Sequence, residues 1–590
     1  MSTDELTTIA QKAARGGLFL FIGNTSSTII LAVGAIIVAR LLGPFNYGLY
    51  TLTVAIPMLL VALSDVGMSS ALVRLPAKAR SEGDHARANS LIKLGFLLKL
   101  AVSTFAFLIC YAGSTVIATT VLNRPELAPF IQLAALMIVF QAIYDATNDA
   151  FIGTDLMQYS AAIQIMQAIL KGTLGPALVF VGLGITGAIS GYLLALAAAG
   201  TTGASILFSR QARSATRTDA SKETRALLGY GLPLYLASIF SVFLAQYQNI
   251  VLAHFTNNVE IGNFAASWTF TTFMAILAYP IVTAIFPMFS KMDTKNQKSD
   301  LARGFVLAVK YTSLLMIPAS VAVIVFSRDL VYLTFGRGYT LAPQYLALLS
   351  ALYLLTAIGS MVLGSFLNGV ADTGTVVKMS ILTLAVYLPM GPALAWPWGP
   401  YGVLVAQILS NAASTVYGIR QTSMKYGALP DLKASGRILI AALVAAVPAV
   451  ALIQLHLTVV GVANLVAGGL LYLVMYLTLA PVMGAVDKFD VTNLRTVLSF
   501  VPLQYRGAEM RFTPFTELGQ NLLDQNVLEV VALDGNVIDL RLIRSQVSVE
   551  ENEGNKFAAR TFTVMIHMFA IFTDSVLDYE ARLLSVLERG

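Results

Sequence analysis

VARLLGPFNYGLY, residues 38–50, stands between two long apolar runs and carries an arginine, a Gly-Pro break and two tyrosines. Pro44 suits the first turn of a new helix, and the glycine before it accepts the backbone angles that a reversal needs. The stretch therefore reads as a tight turn joining two helices. Each flanking run is about 20 residues long, the length that crosses about 30 Å of hydrocarbon at 1.5 Å per residue.

Runs of this kind recur along the whole chain. Its 590 residues are 57% hydrophobic and 12% charged, a balance that no water-soluble core of this size needs. The runs start near Gly16, Pro44, Ser90, Glu126, Gln158, Gly184, Ala226, Gly262, Arg303, Pro343, Val376, Pro400, Arg437 and Gly461, and the last ends near Met483. An all-α polytopic membrane protein of about fourteen transmembrane helices is expected. The first run continues past the length of a signal peptide's apolar region and is read as an uncleaved span.

Lys and Arg in short loops are retained on the cytoplasmic side. The loops on the N-terminal side of the membrane hold 20 of them, and the opposite loops hold 4, namely Arg40, Arg124, Arg328 and Arg337. Both termini are thus expected in the cytoplasm, with the chain multi-pass in the cytoplasmic (plasma) membrane. This topology accounts for most of the basic pI of about 9.1, and no nucleic-acid partner is needed. A single Cys110 rules out an intramolecular disulfide. Four His and few deep acids suggest no metal cluster, and neither a phosphate-cradling P-loop nor a Gly-x-Ser-x-Gly elbow is found. Neither enzyme nor cofactor is expected.

The opening stretch also recurs. Val38-Ala39-Arg40 followed by Gly48-Leu49-Tyr50 matches Leu252-Ala253-His254 followed by Gly262-Asn263-Phe264, at an offset of 214. Thr53 against Ser267 keeps the same offset. Spans one to six and seven to twelve then form a parallel repeat with a cavity expected between the halves. The expected division is an N-terminal six-helix lobe at 1–208, a cytoplasmic linker at 209–225, a C-terminal six-helix lobe at 226–420, helices 13 and 14 at 421–484, and a small cytoplasmic α+β tail at 485–590. In the tail, VLEVVALDGNVIDLRLI alternates around Asp534-Gly535-Asn536 as a β-hairpin would. LDYEARLLSVL reads as an amphipathic helix, and TFTVMIHMFAIF is too short to cross a bilayer.

Charges inside spans are expensive, by about 2.5 to 3.5 kcal/mol on insertion scales, and so mark functional candidates. Lys171 lies about 20 Å into span five, near mid-membrane. Gln164, Gln167 and Lys171 are spaced i, i+3, i+7 on one helical face. Lys99 and Lys310 lie nearer the cytoplasmic side, where binding a substrate and snorkelling to the interface both account for them. Gln141, Asp145 and Asn148 form a second stripe, joined by Asp149 and Asp155, and with Asp65 they suit either gating or helix capping. Ser238, Gln246 and Asn249 lie close to one face of span seven, as a ligand site or an interhelical network. His254, at that span's outer end, is either a pH-sensitive group or a structural one. Arg40 sits at the outer mouth.

ARLLGPFNYGLY followed by SDVGMSSALVR resembles the N-terminal signature of polysaccharide-biosynthesis flippases, the Wzx-like members of the multidrug/oligosaccharidyl-lipid/polysaccharide exporter superfamily. IFPMFSK near Ile285, FGRGY near Phe335 and LGSFLNGVADTGTVVK near Leu363 are similar to that family's segments, and the likeness covers roughly residues 10–480. The resemblance implies a transporter that moves a polyprenyl-phosphate- or pyrophosphate-linked saccharide between leaflets by rocking two lobes around a cationic cavity. Cytoplasmic-side lysines would capture the head group and Lys171 would hold it, while a gradient of ion or potential resets the lobes. Where many relatives carry an acid in span seven this chain has Asn249, which puts cation coupling there in doubt. Residues 507–571 have no counterpart recognised in the family and suit either an inserted cytoplasmic docking module, for glycosyltransferases or a polymerase, or a divergent tail. A cation-coupled multidrug exporter and a membrane glycosyl-polymerase or ligase are the competing readings. The first would favour deep acids and the second a sizeable outer loop.

Overall fold

The computed structural model describes residues 3–210, 219–290, 292, 297–454, 461–486, 490, 529–531 and 537–539. In chain order the helices are α1 (Thr3–Ser64), α2 (Met68–Ser81), α3 (His85–Ala112), the single turn α4 (Ser114–Val116), α5 (Ala128–Gly153), α6 (Met157–Leu178) and α7 (Gly184–Arg210). Then follow α8 (Ala220–Phe255), α9 (Asn258–Ser290), α10 (Lys298–Val325), α11 (Ser327–Thr334), α12 (Ala342–Leu352), α13 (Ser360–Gly369), α14 (Thr373–Trp398), α15 (Pro400–Tyr426), α16 (Leu432–Gln454) and α17 (Gly461–Val482). Among the described residues ten helices are long and apolar enough to cross a membrane, or eleven if the bent run Ala342–Ile358 with Ser360–Gly369 is one span. Two of the ten, Phe19–Ser81 with 63 residues and Met157–Ser209 with 53, are long enough to cross twice.

The Gly-Pro break is where α1 turns back. Gly43 leaves helical geometry at φ 70°, ψ 168°, and Pro44 starts the returning arm. The rising arm meets α6 in ascending order, Gly23 against Ala161 and Gly34 against Gly172. The returning arm meets the other half in descending order, Gly48 beside Gly262 and Gly67 beside Gly231. Small residues at these crossings let backbones touch, the way helices associate where apolar burial gives no net drive. Many large apolar side chains are correspondingly exposed, among them Phe105 at 65% and Trp396 at 81%, which suits a lipid-facing surface.

The contact at Gly48 is reciprocal. A side chain on Gly48 would run into the Asn258 carbonyl, and one on Gly262 into the Pro44 carbonyl. The pairs 44/258 and 48/262 both differ by 214, so the sequence repeat is also a spatial one at this crossing.

The chain divides into two compact units, Met1–Leu439 with Ala446–Gly469, and Ile440–Ala445 with Leu470–Gly590. The first holds both of the expected six-helix halves. In the second, the expected hairpin forms as two antiparallel strands, β1 (Glu529–Val531) and β2 (Val537–Asp539), in the register Glu529 opposite Asp539. The expected segments LDYEARLLSVL and TFTVMIHMFAIF lie outside the described residues.

Candidate functional site

Lys99 neither snorkels nor stands free. Its side chain is 4% exposed, and Nζ lies 2.8 Å from an Asp65 carboxylate oxygen and 3.4 Å from one of Asp149. It also donates to Ser69 Oγ at 2.8 Å. Backbone geometry explains the convergence: Gly95, one turn before Lys99, lets α3 close on Leu72 of α2, while Gly153, one turn after Asp149, lets α5 close on the Leu72 carbonyl. Asp65 serves twice, because its Oδ1 also accepts from Ser69 N at 3.3 Å and Ser69 Oγ at 2.7 Å, which ties down the start of α2. The next residue, Val66, is left-handed at φ 47°, an uncommon conformation for a β-branched residue, and Gly67 follows at φ 78°. The corner that presents Asp65 is therefore backbone-strained. An ammonium held by two carboxylates is internally neutralised, so Lys99 offers no spare cation to a substrate.

Asp145, one turn before Asp149, accepts from Gln141 Nε2 at 2.8 Å. Asn148 Oδ1 accepts from Ser160 Oγ at 2.6 Å and from Gln164 Nε2 at 3.1 Å, so Gln164 is engaged in holding α5 to α6. Gln167 is buried.

Lys171 differs from Lys99. It is partly buried on α6, and its Nζ lies 3.3 Å from the ring centroid of Tyr192 on α7. Among the described residues no carboxylate pairs with it. Gly172 against Gly34 and Gly175 against Gly191 draw α1, α6 and α7 together around this point, and Tyr192 follows Gly191 directly. A π face stabilises a desolvated cation by about 2 kcal/mol while leaving its N–H donors available to an anion.

The remaining candidates are dispersed. Lys310 is partly buried on α10. Asn249 donates to Gln246 on its own helix at 3.2 Å, and Ser238's side chain is outside the described set. The exposed His254 ring has Nδ1 3.1 Å from the Ile250 carbonyl, an intrahelical contact. Arg40 NH1 donates to the Leu333 carbonyl of α11 at 3.3 Å, and Tyr339 OH donates to the Ala39 carbonyl beside it.

Sequence reasoning missed the contacts between the halves. At one end Arg124, ahead of α5, donates to Asn258 Oδ1 and the Thr256 carbonyl, both at 2.8 Å, near the Gly48–Gly262 crossing. At the other, one face of α8 closes over α2 and α3. Glu223 takes a two-pronged contact from Arg87, Nε to Oε1 at 2.9 Å and NH2 to Oε2 at 3.3 Å. Leu227 is fully buried with Met68, Ala71, Ala88 and Leu91. Tyr230 OH accepts from Arg74 NH1 at 3.0 Å, and Gly231 lies against Gly67. Tyr235 OH donates to the Leu63 carbonyl at 3.1 Å. The positions 223, 227, 230, 231 and 235 share one helical face, a periodicity visible in the sequence, but nothing local says what it meets.

Two helical halves that meet at both ends, with ten or eleven helices among the described residues long and apolar enough to cross a membrane, make this a polytopic all-α membrane protein. The fold is similar to that of the lipid II flippase MurJ in an inward closed conformation, with TM-score 0.63 and 15% identity over 79% of this chain and 98% of that one. It is also similar to an inward-facing multidrug resistance MATE family transporter of the MOP superfamily, with TM-score 0.54 and 15% identity over 69% and 98%. Residues 13–293 match the family described as polysaccharide biosynthesis protein. It is 22% identical over 403 residues to the probable low-salt glycan biosynthesis flippase Agl15 of Haloferax volcanii, covering 68% of this chain and 82% of the relative. It is 25% identical over 408 residues to the lipopolysaccharide biosynthesis protein WzxC of Escherichia coli K12, covering 66% and 78%.

Proposed function

We propose that the chain flips a polyprenyl-phosphate- or pyrophosphate-linked saccharide across the cytoplasmic membrane by alternating access, with Lys171 as the mid-membrane anchor for the phosphate. The carrying observation is the surroundings of that ammonium, on a helix long and apolar enough to cross a membrane: it lies over the Tyr192 ring, with no acid paired to it among the described residues. Such a charge costs several kcal/mol to insert, a cost offset by a ligand of opposite sign. The names of Agl15 and WzxC, taken from glycan and lipopolysaccharide biosynthesis, support the same class of substrate. Gln167, Lys310 and Arg40 are secondary contacts along the path. Fourteen spans with both termini in the cytoplasm, and a tail that docks glycosyltransferases or a polymerase, belong to this reading.

The alternatives fit less well. A cation-coupled drug exporter needs deep carboxylates free to take its ion; Asp65 and Asp149 are occupied by Lys99, which leaves Asp145, bonded to Gln141, as the acid that reading would have to use. A polymerase or ligase needs a sizeable outer loop for its acceptor, whereas SRDLVYLTFGRGYTLA is short, begins as α11 (Ser327–Thr334) and continues in a turn with Tyr339 buried. The test is Lys171→Ala: translocation of a lipid-linked saccharide in a complemented cell is lost while membrane insertion and expression stay unchanged. Full transport by a stably expressed Lys171→Ala chain refutes the assignment.

A further inference from the structure

The closure of α8 over α2 and α3 is built around two arginines whose partners are unequal. Arg74 is exposed and among the described residues holds only a neutral phenol, with its guanidinium carbon 4.9 Å from the Tyr230 ring centroid. Arg87 holds a carboxylate in a two-pronged contact, with a side chain 37% exposed while that of Glu223 is 7% exposed. A guanidinium fork accepts a phosphate with the same geometry that it uses for a carboxylate, and a phosphate brings more negative charge. Lys78, Lys222 and Arg225 lie close by in sequence on the same elements and add to the field that would draw an anion there. Glu223 and Tyr230 are seven residues apart, about 10 Å along α8, so the two arginines hold neighbouring points of one contact line.

We propose that Arg74 and Arg87 form a capture site for the phosphate or pyrophosphate group of the lipid-linked substrate, and that Glu223 and Tyr230 are the chain's own stand-ins for that group. This deepens the reading given above and rests on it. Arg74, whose partner carries no charge, takes the anion first. Arg87 then exchanges Glu223 for the phosphate, and the displaced carboxylate is left facing an anion. The neutral contacts that remain, at Leu227, Gly231 and Tyr235, do not hold the start of α8 against that repulsion, so arrival of the substrate undoes the contact that closes this end. The exchange is non-covalent: the incoming anion replaces a neutral phenol at Arg74 and a carboxylate at Arg87.

The experiment uses the full chain in phosphatidylcholine nanodiscs, with Cys110→Ala and with spin labels on the cysteines introduced by Ser81→Cys and Ser221→Cys, at positions outside the contact line. Inorganic pyrophosphate is expected to lengthen the distance between the labels, and Arg74→Gln with Arg87→Gln to weaken that response at least about tenfold. Glu223→Gln is expected to lengthen the distance with no anion added, which keeps the proposal testable if the double variant does not fold. A distance insensitive to pyrophosphate, a response that survives loss of both arginines, or a response to phosphatidylglycerol nanodiscs but not to pyrophosphate each overturns it. Lys171→Ala separates the two readings: it abolishes transport but leaves this distance response intact, so failure at Lys171 and failure at the arginines are seen in different measurements.

Discussion

Gly48 and Gly262 lie at one crossing, backbone against backbone, with no room for a side chain on either. The atoms in the way are the carbonyls of Asn258 and Pro44, which are themselves equivalent positions of the repeat. The crossing therefore behaves like the two-fold interface of a dimer, made within one chain.

Gly48→Val and Gly262→Val are each expected to hold this crossing apart. Overfilling a close contact costs about 1–3 kcal/mol. Both variants should insert normally but lose most of their transport, and cross-linking between cysteines placed on α1 and α9 near the crossing should fall in both. Unchanged cross-linking in either variant would show that the contact is not needed.

Lys99 is predicted to matter for stability rather than for substrate. Removing one partner from a buried ion pair costs about 3–5 kcal/mol, because the opposite charge is left without compensation. Lys99→Met should therefore lower the melting temperature in detergent sharply, and Lys99→Met with Asp65→Asn and Asp149→Asn should recover most of the loss. A Lys99→Met chain with normal melting and no transport would instead return Lys99 to the substrate path.

Asp372 caps α14, accepting from Thr375 N at 3.3 Å and from Lys425 Nζ at 2.7 Å. Partial burial pushes its carboxyl upward, but hydrogen bonds from Lys425 and Thr375 outweigh this and hold it below the usual carboxylate range. A depressed folded-state value means that the stabilisation is present above the unfolded value of about 3.9 and is lost as pH falls through the folded one. Asp372→Ala should cost about 1 kcal/mol at neutral pH through loss of the cap, and the gap from wild type should close as the melting buffer is taken below that range. A gap that persists in acid would assign the loss to something other than the carboxylate.

What could be read from the sequence was what depends on near neighbours. The reversal at Gly43-Pro44 follows from the conformational needs of two residues, the hairpin at 529–539 from alternation, and the helices from run length. The offset of 214 was legible because the repeat leaves a trace in residue type, yet its meaning as a touching pair required coordinates. The site was less legible. Lys99 was conspicuous as a charge in an apolar run, but its partners lie 34 residues before it and 50 after it, and no local pattern distinguishes an ammonium that is neutralised from one that is free. Lys171 looked the same on paper, and only the ring of Tyr192 and the absence of an acid beside it among the described residues set it apart. Arg87 and Glu223 are 136 residues apart and each reads as an ordinary interfacial charge.

One helix reaches both closures. α8 carries Glu223 near its start and leads to Thr256 at its end, about 50 Å further on. A rigid rod of that length would act as a lever, transmitting any movement at one closure to the other. It is not uniformly rigid, however: Pro233 falls within α8 and cannot donate to the carbonyl of Gly229, and Gly231 lies between them. The cheapest place to bend is thus just past the arginine contacts. The end that holds Glu223 and Leu227 can hinge away there while the long upper arm stays seated beside Arg124.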